Sequence, residues 1–93
     1  MLKHKHFKEK VKDVAQINVT FILRGNLMWY PEQKQKAHNL TVEDNLRIID
    51  VINKLNVPIE QINYVIKNGQ KVNVNQKLTE GDQIELLPII VGG

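Results

Sequence analysis

The sequence predicts an α+β domain in which one helix packs across one face of a mixed sheet of four or five strands. Three observations lead there. Residues 17–23 alternate with period two, residues 42–55 carry a single helical apolar stripe, and Asn68-Gly69 with the apolar run at 84–87 supplies a hairpin and a last strand. Ninety-three residues are enough for one small domain with its own core.

The elements follow in order. Residues 1–15 form a basic arm in which Leu2, Phe7, Val11 and Val14 are spaced too loosely to require a helix, and a flexible arm is expected. Residues 16–93 form the domain. Ile17, Val19, Phe21 and Leu23 give the first strand one buried face. Arg24-Gly25-Asn26 is turn chemistry, and Leu27-Met28-Trp29-Tyr30 reads as a second extended piece that Pro31 interrupts. Glu32 to Lys36 read as a loop, and a short strand resumes around Ala37 to Leu40.

Thr41 stands where a helix N-cap belongs, with Glu43 and Asp44 in the first turn. Val42, Leu46, Ile49, Ile52 and Leu55 make the stripe that must cover the sheet, and Pro58 ends the helix near Asn56. A turn at 59–62 leads into a strand at Asn63 to Lys67. Asn68-Gly69 then supports a type I′ turn, because both central positions of that turn need positive φ. Gln70 to Val74 return, residues 75–82 connect, and Ile84 to Leu87 close the sheet before Pro88 ends its pairing. If the first and last strands are central neighbours, both should be strongly apolar, and they are.

Composition narrows the chemistry. The chain has no cysteine, so disulfides, thiolate metal sites and a cysteine nucleophile are excluded, in keeping with a cytoplasmic location. The net charge of +3 is confined to the arm, where five lysines face Glu9 and Asp13; the rest of the chain is balanced. No nucleic-acid partner and no membrane span are therefore expected of the domain. His4 and His6 lack convergent partners, so no metal site is expected, and His38 reads as a surface or cross-strand residue rather than a catalyst.

The end of the chain carries the functional signal. Gly92-Gly93 follows Pro88-Ile89-Ile90-Val91, and two glycines end a sequence by chance in about one chain in two hundred. Without Cβ atoms the pair can thread a channel too narrow for side chains and present the Gly93 carboxylate to another protein's active site. Leu86, Leu87, Pro88, Ile89, Ile90 and Val91 are the candidate docking residues beside it. Alternation puts Leu86 and Leu87 on opposite faces, so one of them should be open to a partner or covered by the arm.

Taken together, Thr41-Val42-Glu43-Asp44, the Asn68-Gly69 turn, Leu78-x-x-Gly81-Asp82-x-Ile84, Pro88 and Gly92-Gly93 resemble the MoaD/ThiS sulfur carriers over roughly residues 16–93. The resemblance implies the ubiquitin-like β-grasp fold. It also implies a carrier that binds no cofactor and is not itself an enzyme. An adenylating enzyme of the ubiquitin-activating type would use ATP to activate Gly93, with Gly92 as the flexible approach. The resulting thiocarboxylate would give its sulfur to a synthase subunit in cofactor biosynthesis. Molybdopterin-type tails usually carry a Pro-Pro pair, and Ile89 stands at the second position here; thiamine-type carriers have β-branched tails but are shorter. The extra segment from Trp29 to Lys36 favours the molybdopterin branch. Two other uses of the domain compete: a protein modifier joined to lysines through Gly93, and a non-catalytic binding module.

Overall fold

The structure, a computed structural model, describes residues 15–90. Five strands, β1 (Gln16–Leu23), β2 (Ala37–Glu43), β3 (Ile62–Lys67), β4 (Gln70–Val72) and β5 (Gln83–Pro88), form one sheet in the order β2-β1-β5-β3-β4. β1 and β5 run parallel at its centre and every other pairing is antiparallel. The first and last strands are neighbours at the centre, and their inward residues are apolar because that face packs into the core.

Alternation decides the faces. Ile17, Val19, Phe21 and Leu23 of β1, Val42 of β2, Val65 of β3 and Ile84 and Leu86 of β5 are buried on the inner face. The helix α1 (Ile48–Lys54) lies over them and contributes Ile48, Val51 and Ile52, each fully buried. Removing such a side chain from water contributes roughly 1.5–3 kcal/mol. Leu27, Leu55, Val57 and Leu78 close the rim of the core.

Two elements differ from the sequence expectation. Leu27 to Tyr30 are not extended: Gly25 to Trp29 form a 3₁₀ turn that begins where Gly25 takes φ +57°, and the turn carries Leu27 inward to full burial. Burying Leu27 while the Gly25 backbone packs on Pro88 requires a chain that folds back, which an extended segment would prevent.

The helix also begins later than Thr41. Thr41 belongs to β2, where its hydroxyl donates to Asn18 Oδ1 at 2.9 Å, and the strand continues to Glu43 so that Val42 can fill the core opposite Ile17. Arg47 is the N-cap of α1, and its backbone N–H donates to Asp50 Oδ2 at 2.9 Å. The next free amides of the first turn are taken by a distant segment: Ile48 N–H donates to Gln76 O and Ile49 N–H to Val74 O. The inward stripe is accordingly Ile48, Val51, Ile52 and Leu55, with Leu46 and Ile49 half-buried at its border.

Candidate functional site

The root of the tail is built from three neighbours of β5. Pro88 is the last strand residue, opposite Ile62 of β3. Its ring lies against Gly25, where a Cβ would meet Pro88 Cγ at 3.0 Å, so only glycine admits this contact without displacement. One residue on, Ile89 N–H donates to Gln61 O at 3.1 Å. Among the described residues that bond is the last backbone anchor of the tail. Ile90 is 84 % exposed and carries the chain clear of the sheet. Val91, Gly92 and Gly93 lie outside the described residues, as do residues 1–14 of the expected arm.

The candidate docking residues divide by face. Leu86 is fully buried in the core, which corrects its candidacy as a docking contact: the inner face of β5 is spoken for by α1. Leu87 points the other way, beside Tyr64 of β3 on the uncovered face of the sheet. Ile22 and Ile66 flank Glu85 on the same face, and all four apolar side chains are half-buried. Polar groups frame this patch. Arg24 Nη2 bonds Glu85 Oε2 at 3.2 Å, and Lys71 Nζ sits 4.9 Å from the centre of the Tyr64 ring. Ile89 is nearly half exposed, and Trp29 and Ile59 are further exposed apolar side chains. Sequence reasoning missed Ile22, Tyr64 and Ile66, although the alternation that buries Val65 would have placed Tyr64 and Ile66 outward.

The turn that feeds β5 is held by Asp82, which is 3 % exposed. Its carboxylate accepts the Thr79 N–H at 2.8 Å, the Thr79 hydroxyl at 3.1 Å and the Asn68 amide at 2.9 Å, and Lys67 Nζ stands 3.4 Å away. Asn68, at φ +50° in the expected turn with Gly69 at +89°, also accepts the Gln83 N–H at 2.8 Å. The two turn motifs are thus one structure, a clamp that ties the β3–β4 hairpin to the start of β5. His38 is buried on β2, with Nε2 2.9 Å from Gln35 O, and serves the loop before the strand. Among the described residues no cluster of three His, Cys, Asp or Glu is placed to hold a metal ion, and no helix is long and apolar enough to cross a membrane.

A five-stranded mixed sheet grasping one helix, with an exit strand at its centre, defines a ubiquitin-like β-grasp protein. The chain belongs to the Mut7-C ubiquitin family, whose profile matches residues 14–91. No curated protein matches the sequence. Several solved structures share the fold. SAMP1 from Haloferax volcanii has 14 % identity and a TM-score of 0.62, over 82 % of this chain and 99 % of its own. The HVO 2177 protein from the same organism has 19 % identity and a TM-score of 0.66, over 84 % and 88 %. A candidate molybdopterin converting factor, subunit 1, from Pyrococcus furiosus has 12 % identity and a TM-score of 0.61, over 80 % and 99 %. The fold implied by the resemblance to the MoaD/ThiS carriers is therefore the fold observed.

Proposed function

We propose that this chain is a sulfur carrier whose Gly93 carboxylate is the working group. A carboxylate oxygen attacks the α-phosphorus of ATP in a partner's active site, pyrophosphate leaves, and Gly93 becomes an acyl-adenylate. Hydrosulfide or an equivalent donor then adds to the carbonyl and expels AMP, leaving a thiocarboxylate. The partner supplies the catalysis and this chain supplies position. Gly92 and Gly93 reach the adenylating site, while Leu87, Pro88, Ile89, Ile90 and Val91 meet the wall of the channel and its rim. The acceptor is a synthase subunit, with molybdopterin assembly favoured over thiamine, and the setting is cytoplasmic.

One observation carries the reading: the chain is pinned at Pro88 and Ile89 and free of the sheet at Ile90. Such a root fixes the direction in which a short tail leaves while leaving the last residues to be taken up by another protein. A second reading, a binding module that uses its sheet face alone, is favoured by the family match ending at residue 91, before both glycines.

Intact-mass spectrometry separates the two. The full chain is incubated with ATP, sulfide and candidate adenylating enzymes, each shown to modify its own carrier. A carrier gains the mass of one oxygen replaced by sulfur, and deleting Gly93 abolishes the gain without moving the melting temperature. An unchanged mass with every active enzyme supports the module instead, and higher-mass conjugates in extracts would point to a lysine-linked modifier.

A further inference from the structure

The sheet has two edges, and they are built differently. β4 is three residues long and carries Lys71, the kind of short, charged edge that resists pairing with a stranger. β2 is seven residues long, and between Ala37 and Val42 it has no proline, lysine or carboxylate. Its hydrogen-bonding direction follows from its neighbour. Leu23 N–H donates to Lys36 O and Asp44 N–H to Ala15 O, so the even-numbered residues of β2 face β1. The backbone groups of Ala37, Asn39 and Thr41 face outward and have no partner among the described residues. Beside them on the helix side runs a groove of about 390 Å³ lined by Leu40, Leu46, Leu55 and Lys54.

We propose that this edge pairs with the same edge of a second copy, antiparallel, about a two-fold axis at Leu40, so that two sheets become one of ten strands. The register is dictated by the strand. Centred on Leu40, all seven residues are paired, and the outward-facing residues meet each other, Asn39 with Thr41 and Ala37 with Glu43 of the second copy. A slip of one residue would set outward groups against inward ones and lose the bonds.

Side chains agree with this register on both faces. Lys36 stands opposite Asp44 of the second copy, twice by symmetry. On the outer face Thr20 already donates to Asn39 Oδ1 and Thr41 to Asn18 Oδ1, each at 2.9 Å. The Asn39 NH₂ remains to donate to the Thr41 oxygen of the second copy, which completes a ladder in which each hydroxyl and carbonyl has a role. On the inner face the two Leu40 side chains meet at a close, non-hydrogen-bonded position over the mouths of both grooves. A second copy thus satisfies backbone, charge and apolar surface at once. The pairing leaves Leu87 and the tail root free, so it stands or falls independently of the carrier reading.

Sedimentation equilibrium of the full chain, from about 10 µM to about 1 mM, tests the proposal. The expected result is a concentration-dependent rise towards twice the 10.8 kDa of one chain. Thr41→Pro removes an outward N–H and should abolish the dimer. If that variant fails to fold, Lys36→Glu still decides: it should weaken association by about tenfold, and Lys36→Glu/Asp44→Lys should restore it. A monomer throughout the range, a dimer indifferent to the charge swap, or a monomer that takes up an added extended peptide along β2 would each overturn the proposal.

Discussion

At the scale of single residues, Asp82 is a carboxylate whose chemistry is set by the groups around it. Burial works to raise its pKa, but the Thr79 N–H, the Asn68 amide, the Thr79 hydroxyl and the Lys67 ammonium together outweigh burial, and the net pKa is lowered from 3.8. A lowered folded-state pKa means that the carboxylate stabilises the protein fully above its unfolded pKa, and that this contribution is lost as pH falls through the folded value. Thermal melts should accordingly lose stability as the pH is taken below about 4. Asp82→Asn should lower stability at neutral pH by about 1–3 kcal/mol and flatten part of that acid slope. An acid slope identical in the variant would show that other carboxylates govern it.

At the scale of elements, the 3₁₀ turn and β5 are made for each other. Gly25 needs φ +57° and also leaves the space that the Pro88 ring fills. Gly25→Ala therefore carries both backbone strain and a steric clash, together about 1–3 kcal/mol, read as a melting temperature lower by on the order of 5–15 °C. In a Pro88→Ala background the clash is removed and the cost of Gly25→Ala should shrink. Equal costs in the two backgrounds would mean that the glycine and the proline do not act on each other. The start of α1 carries the same lesson. Thr41, Glu43 and Asp44 offered a plausible N-terminus, yet the carbonyls of Val74 and Gln76, from a segment distant in the chain that runs alongside residues 46–49, cap the helix. No local pattern near Arg47 announces that arrangement.

For the molecule as a whole, the uncovered sheet face is where a partner can meet the domain without disturbing it. Leu87→Lys should keep stability within about 1 kcal/mol, because a lysine stem can lie along the same surface with its ammonium near Glu85. Under the carrier reading, however, the variant should slow thiocarboxylate formation severalfold while leaving the mass gained per chain, one oxygen replaced by sulfur, unchanged. Activation at the original rate would remove this face from the docking surface. The sequence alone determined the inward face of β1, the Asn68-Gly69 turn and the closing strand from Ile84. Each of these is written in a local signal: a period of two, a pair of residues that tolerate positive φ, or a short apolar run after a turn. Tertiary structure alone decided where the helix begins, that residues 25–29 coil inward, that Leu86 rather than Leu87 is buried, and that Asn68 and Asp82 clamp together. In those cases the deciding contact comes from a segment distant in the chain, and burial there outweighs what the neighbouring residues prefer.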